Sequence, residues 1–509
     1  MPVKSYQEVI ELQPGVVAIM GLFSYREWKE YEHRWKKRLE ALPPYYTQSY
    51  RISATLTHTL SPYTFYNFAL SHYNLFYQIL GKHMHEYNPV CELNDDGYVI
   101  KGDKAYWEDN IQNISLIKAD ITSKRGTHQM KGGGEFIYYD LYMNSAYQVQ
   151  MRTADPKFPI YLTYYTKYKY YPKSAAMYLQ DKFRYEFFVI DLGLRFDYFD
   201  PCAQRPKIIE PTFGSWIIDL SDTVRASPKS QLSPRIGITF FSSNFSIRFN
   251  YGLFFQMPLF EYLYRNVNYD FSSGYPPVLG DPDLQAAKTE AMEAGVKRFL
   301  SKSTVVTATA FSKIASNLVD CITHYDPTEG TMDRVPVAGY NKYVSVEQAN
   351  IKGIELDLQK IYGRLLTGRI SYTYQTATAI FKMSEFAPEL RHPLSWDQRH
   401  KLVLNLDLRQ QDTWGVNILW EWNSPLPYTS RPEMPNMDRM WPRYRLDLKV
   451  EKIFYPMNKR LSVYLEVKNL LDNKNVLWVD WQRRPGGELN DPTAWDAGRR
   501  IWLGINWQL

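Results

Sequence analysis

Long apolar runs are what this sequence most conspicuously lacks. No stretch of its 509 residues approaches the roughly 20 apolar positions that a spanning helix needs, which excludes a helical membrane protein. Cysteine is scarce as well: Cys91, Cys202 and Cys321 lie too far apart for a disulfide framework or a paired-thiolate zinc site. Neither sign of charge dominates. Sixty Lys and Arg against 54 Asp and Glu leave +6, without the basic stripe that nucleic-acid binding needs, so no nucleic acid is expected as a partner. The phosphate-binding, dinucleotide-binding and nucleophile-elbow motifs are missing from any strand–turn–helix context. The first residues, Met1 to Glu8, show no basic segment followed by an apolar core, so no export signal is expected within this chain. Aromatic residues, by contrast, are plentiful: 41 Tyr, 25 Phe and 14 Trp are too many for a disordered chain and suit a packed β protein or the girdles of a membrane barrel.

Period-two alternation is the strongest positive signal. Ile501, Leu503, Ile505, Trp507 and Leu509 alternate with Arg500, Trp502, Gly504, Asn506 and Gln508, placing one set on each face of a strand. The same pattern sets Leu461, Val463, Leu465 and Val467 against Ser462, Tyr464, Glu466 and Lys468, and it recurs around residues 366–375, 401–409 and 443–450. A soluble antiparallel sheet with one wet face also alternates; the connections decide between the two. Tight links near 60–62, 185–186, 242–243, 300–302, 362–363, 410–412 and 456–458 separate long polar stretches at 78–111, 143–172, 201–231, 255–285, 318–343, 379–398, 424–441 and 471–497. Short turns at one end and long loops at the other are the signature of an outer-membrane β-barrel. The expected fold is therefore all-β, a transmembrane antiparallel barrel of about 16 to 18 strands. About seventeen run from 46–59 to 498–508, and even closure requires Val16–Phe23 to join as one more, pairing with both end strands.

Six segments occur in a telling order: Ala176-Met-Tyr-Leu-Gln-Asp-Lys182, Asp191–Phe199, Ser233-Pro-Arg-Ile-Gly237, Tyr251–Gln256, Val467-Lys-Asn-Leu-Leu-Asp-Asn473 and Gly498–Gly504. Together they make residues 45–509 resemble the barrel of TonB-dependent outer-membrane receptors, particularly the long-looped Bacteroidetes-like versions. In that family a 22-stranded barrel encloses a plug, and energy relayed from the inner membrane through TonB shifts the plug. Val3–Val17 resembles an early part of the plug; the remainder and a TonB box are not recognisable, and the chain ends in Leu509 where the family usually has an aromatic residue. The resemblance implies a plug-like remnant at 1–23 recruited as a strand, a helical outer-loop segment at 24–45 and a barrel at 46–509. It further implies residence in the outer membrane of a Gram-negative bacterium, solute uptake without enzymatic chemistry or cofactor, and a barrel truncated relative to the family. Its implied partners are outer-membrane lipid, the barrel-assembly machinery, a solute, and TonB acting through a plug supplied elsewhere. Two rival readings are a passive pore or structural barrel fragment, and an outer-membrane hydrolase.

Within this frame the polar members of the alternating strands become lumen-facing candidates: Arg369, Thr373, Gln375, Asn405, Asp407, Arg409, Arg445, Asp447, Lys449, Glu466 and Lys468. Loop aromatics Tyr262, Tyr264, Tyr269, Trp478 and Trp481 are candidates for contact with the solute. His83, His85 and Cys91 have donor types suited to a transition metal, although their spacing matches no closed site. His58, His72 and His400 lie near strand ends, where a hydrolase would need an oriented Ser/His/Asp set. Residues 24–41 read as a helix: Ser24 and Glu27 form a capping box, and Trp28, Tyr31, Trp35 and Leu39 share a face before Pro43-Pro44.

Overall fold

The computed structural model describes residues 16–81, 91–151, 160–209, 217–267, 278–325, 339–381, 389–431 and 434–507. Among them, no helix is long and apolar enough to cross a membrane. The wall is one antiparallel ladder of eighteen staves. These are β1 (Val16–Lys29), β2 (Pro44–Ser61), β3 (Thr64–Ile79), β4 (Tyr106–Arg125), β5 (His128–Met151), β6 (Ile160–Tyr170 continued by Lys173–Tyr185), β7 (Phe188–Asp200), β8 (Lys229–Phe241) and β9 (Phe245–Gln256). They continue as β10 (Ala287–Ser301), β11 (Thr304–Tyr325), β12 (Gly339–Lys360), β13 (Leu366–Phe381), β14 (His400–Gln410), β15 (Trp414–Asn423), β16 (Arg443–Phe454), β17 (Leu461–Lys468) and β18 (Arg500–Trp507). Each stave pairs antiparallel with the next. β6 is broken where Pro172 cannot donate an N–H; its carbonyl accepts from Tyr139 N at 3.1 Å, so the ladder resumes across the break.

The 27 strands among the described residues exceed the expected count because the long loops carry strands of their own. Gln204–Ile209 with Ile217–Arg225, Glu92–Leu93 with Val99–Lys101, and Pro427–Tyr428 with Asp438–Arg439 make small separate sheets. Several staves also run further toward the long loops than alternation indicates: β5 continues to Met151 and β12 begins at Gly339. Where both faces of a strand are wet, no period-two contrast is selected.

Residues 24–41 are not the expected helix. Ser24–Lys29 finish β1, whose fourteen residues pair with β2 from Val16↔Thr57 to Lys29↔Pro44, and only one-turn 3-10 segments follow at His33–Trp35 and Leu39–Ala41. The capping box and the helical spacing of Trp28, Tyr31 and Trp35 are overridden over Ser24–Lys29 by pairing with β2, whose ladder takes up the backbone groups that a helix would have used. Val16–Phe23 thus stands in a strand, as expected for one partner. Its expected second partner is not found: among the described residues β18 pairs with β17 alone, and no pairing joins β18 to β1.

The sheet nevertheless curls. After β9 the chain forms a short helix, α1 (Phe260–Tyr264). Tyr264 stacks on Tyr170 of β6 at 4.4 Å between ring centroids, and Tyr262 lies 4.6 Å from Tyr343 of β12. On a flat sheet β6 and β12 would stand about 29 Å apart, whereas α1 is only about 7.5 Å long; one helix touches both because the wall wraps around it. The end staves, about 80 Å apart on a flat ladder, are brought together in the same way. The carbonyl of Leu489, in the β17–β18 loop, accepts from Tyr98 OH at 3.1 Å and lies 3.0 Å from His33 Nε2 in the β1–β2 loop.

Candidate solute-binding lumen

Register decides which side chains share the inner face. Directly paired residues of antiparallel strands lie on the same side of the sheet, so one row can be followed along the wall: Thr367↔Asp407↔Asn417↔Lys449↔Glu466. By this register the eleven candidates share one face of the sheet. Nine of them meet a neighbouring side chain: Arg369 pairs with Asp357, and Asn417 donates to Asn405 at 2.9 Å. Arg409 bridges Asp407 and Glu451 at 3.2 Å each, Arg445 lies 3.2 Å from Asp447, and Lys468 lies 3.7 Å from Glu466. Lys449 sits over the Tyr464 ring at 4.5 Å. On the opposite face Leu402, Leu404, Leu406 and Leu408 continue into Trp422, Trp420, Ile418 and Val416 and then Tyr444, Leu446, Leu448 and Val450. Large apolar side chains there are bare, Leu503 being 75% exposed and Leu356 46%. So extensive an apolar surface is incompatible with a water-facing wall and suits lipid.

At the mouth, the loop carrying α1 turns inward and is pinned there. Tyr264 is fully buried with Leu263, Leu141, Phe199 and Leu284, and its hydroxyl donates to the Pro201 carbonyl at 2.8 Å. Asp283 accepts from Arg205 at 2.8 Å, Lys229 at 3.0 Å and Ser227 N–H at 2.7 Å, while Asp281 pairs with Lys342 at 2.7 Å. Burial pushes the Asp283 carboxyl up, but these donors outweigh it and hold its pKa below the ordinary carboxylate value. Between α1 and the wall of β4, β5 and β6 lies a cavity of about 690 Å³. Tyr106, Glu108, Asn110 and Gln112 enter it at every second position of β4, opposite Tyr147 of β5 and Tyr164 of β6. A second cavity of about 550 Å³ lies along β6 to β10, where it carries Asp191, Arg195, Arg235 and Glu293, and is reached by Lys118 of β4.

A further knot holds the far side of the mouth. Asp397, with 0% exposure, accepts from Ala377 N–H at 2.7 Å and is paired with Arg439, whose guanidinium also donates to the Asp397 and Pro425 carbonyls. Around the Val467–Asn473 segment, Asn469 and Asp472 adopt positive φ of 52° and 55°. Asn469 accepts from Asn473 N–H at 3.0 Å and donates to the Ala497 carbonyl at 3.2 Å, while Asn475 both accepts from and donates to the Tyr444 backbone. Side-chain amides substitute here for ladder partners, as Asx turns do.

A wall with one polar and one apolar face, tight turns at one end and long in-folded loops at the other suits the TonB dependent receptor-like, beta-barrel family, whose profile matches residues 23–470. The chain belongs to this family. Members are outer-membrane transporters and receptors of Gram-negative bacteria, not enzymes. Solved structures agree in fold. The outer membrane transporter YddB from Escherichia coli superposes with a TM-score of 0.66 at 12% identity, covering 96% of this chain and 66% of that one. The siderophore receptor PiuA from Acinetobacter baumannii gives 0.60 at 13% identity, over 97% of this chain and 72% of that one. The FrpB iron transporter from Neisseria meningitidis (F5-1 variant) gives 0.61 at 11% identity, over 96% and 70%. The chain therefore spans about two thirds of the length of the structures it matches. Comparison of the sequence with curated proteins finds no match.

The receptor barrel distributes the remaining candidates unevenly. Tyr264 is core and cannot meet a solute, because its hydroxyl and both ring faces are already engaged. Tyr262 is half-buried against Tyr343, Trp478 and Trp481 are exposed on the β17–β18 loop, and Tyr269 lies outside the described residues. His83 and His85 also lie outside them. Cys91 packs on Trp35, Ala41, Leu42 and Val99, and burial pushes its thiol up. His72 and His400 are on the outer face, 3.0 Å from Ser115 Oγ and 2.8 Å from Tyr372 OH respectively, and His58 packs on Tyr66. No Ser/His/Asp set forms around these three. Sequence reasoning missed the tyrosines of β4, β5 and β6; Tyr147 and Tyr164 belong to a tyrosine-rich stretch from 138 to 185, Tyr106 lies outside it, and their convergence requires register.

Proposed function

We propose that this chain is the barrel of an outer-membrane receptor that imports a solute, with the long loops as capture surface and the polar inner face as lining. The observation carrying this reading is the two-faced wall closed over at its mouth: a continuous polar row inside, an apolar band outside, and the α1 loop held across the opening. An in-folded loop fixed by the Asp281 and Asp283 ion pairs favours selective passage over a wide passive pore. Transport would be energised by TonB through a plug, which is not among the described residues; insertion would require the barrel-assembly machinery and the surrounding lipid.

Two measurements test this. Expressed with an export signal in a Gram-negative host, the protein should fractionate with outer membranes and migrate faster on a gel unheated than heated. Solute uptake by those cells should cease when the inner-membrane proton gradient is collapsed. A monodisperse protein soluble without detergent would refute the membrane reading, and uptake indifferent to the gradient would refute the energised one.

A further inference from the structure

The cavity between α1 and β4–β6 has a composition that points to one class of solute. We infer that it binds a neutral, polyhydroxylated ring compound, a short uncharged oligosaccharide; the inference rests on the uptake reading above and supplies its substrate class. Charge is the first argument. The cavity holds two cations, Lys104 and Arg265, and two carboxylates, Glu108 and Glu261. Each has a partner: Lys104 is paired with Glu32, Arg265 with Glu261 at 2.7 Å, and Glu108 accepts from Tyr106 OH at 2.9 Å and Asn110 Nδ2 at 3.4 Å. A multiply charged anion such as a ferric catecholate would find no surplus cation to offset its desolvation.

Shape and surface chemistry supply the second argument. Tyr106, Tyr147 and Tyr164 form a continuous aromatic rim, with ring centroids 5.7 Å and 6.1 Å apart, and Tyr147 is 41% exposed. Below it Glu108, Asn110 and Gln112 leave β4 from backbone positions about 7 Å apart, the repeat of every second strand residue, and their heads form a chain in which Gln112 donates to Asn110 at 3.2 Å and Asn110 to Glu108 at 3.4 Å. A pyranose ring presents an apolar C–H face to stack on a tyrosine and an edge of hydroxyls to meet such a row of donors and acceptors. The row is polar without being charged in excess, so it matches hydroxyls better than phosphates or carboxylates.

The test is equilibrium binding by the full chain in detergent, with maltohexaose, cellohexaose and xylohexaose as probes, against ferric tris-catecholate and a capped neutral hexapeptide. At least one oligosaccharide should bind saturably, with an affinity that changes less than about twofold between roughly 50 and 500 mM salt. Tyr147→Ala combined with Tyr164→Ala should weaken it at least about tenfold. Glu108→Gln should do the same while heat-modifiable mobility stays normal, and Tyr147→Phe should largely preserve binding because the ring face remains. Binding of the catecholate or the peptide in preference to every sugar overturns the inference, as does an absence of sugar binding up to about 10 mM, or sugar binding indifferent to all three tyrosine and glutamate changes. Gradient-dependent uptake measured in parallel separates the two readings: sugar binding without uptake would sink the transport reading alone, and uptake without sugar binding would sink the substrate class alone.

Discussion

Replacing Leu356 by arginine offers the most direct test of which face of the wall meets lipid. Leu356 sits on β12 in the outer row Ala308, Leu356, Tyr372, Leu402, Trp422 and Tyr444, read from direct strand pairs. It lies four residues before Lys360, where β12 ends. With strands tilted by about 40° each residue advances about 2.6 Å through the bilayer, which places Leu356 near the middle of an apolar band about 25 Å tall. An arginine there should cost about 2 to 4 kcal/mol, or some 30- to 1,000-fold in the folding equilibrium. Glu355, one residue earlier, faces Thr309 and Thr373 across the inner rows and is exposed to the lumen. Glu355→Arg should cost less than about 1 kcal/mol, since the charge stays in water. Ser462 would be a poor inner-face comparison: it is only 2% exposed, so an arginine there overpacks the wall. The assay is reversible unfolding in denaturant from lipid vesicles, followed by tryptophan fluorescence and by heat-modifiable mobility. Equal losses at 355 and 356, or a larger loss at 355, would show that the faces are assigned the wrong way round.

Three further outcomes are expected. Removing Arg439 leaves the fully buried Asp397 with only Arg399, 3.5 Å away, as a cationic partner; Arg439→Ala should loosen the 390–399 and 424–440 loops by about 3 kcal/mol, read as faster hydrogen exchange at Ala377, and unchanged exchange would refute the pairing. Asp283 has a folded pKa below its unfolded value, so its contribution is present above the ordinary carboxylate range and is lost as pH falls through the folded value. The α1 loop should therefore loosen in acid, and Asp283→Asn should loosen it at neutral pH and remove that acid step; exchange rates of residues 279–286 that are the same in both proteins at every pH would contradict this. Cysteine pairs between residues 17–21 and 501–505 should fail to crosslink in folded protein, because the described ladder carries no β1–β18 pairing; efficient crosslinking at one register would instead demonstrate a closed eighteen-stranded cylinder.

How much of this was legible in the residues follows from where each feature is encoded. Alternation is a property of strand geometry, so the greasy and polar faces of β13 to β18, and which residues share a face, could be read directly. The alternation of tight and long connections likewise appears as local composition: the turn at Gln410–Thr413 holds Asp412 at a φ of 58°, while the long links are polar and aromatic. What alternation could not decide was the outcome where two local patterns compete. Ser24–Lys29 carries a helix capping box yet directly follows the strand segment Val16–Phe23, and only the presence of β2 alongside made it strand. Nor could local pattern show what happens at the mouth, where partners are far apart in the chain. Tyr264 meets Pro201 across 63 residues and His33 meets Leu489 across 456. The burial of Tyr264, which removed it from the solute-binding candidates, and the gathering of Tyr106, Tyr147 and Tyr164 around one cavity both depend on how far the sheet curls and on the register of three separate staves. Those are sums over many strand pairings, and no window of sequence contains them.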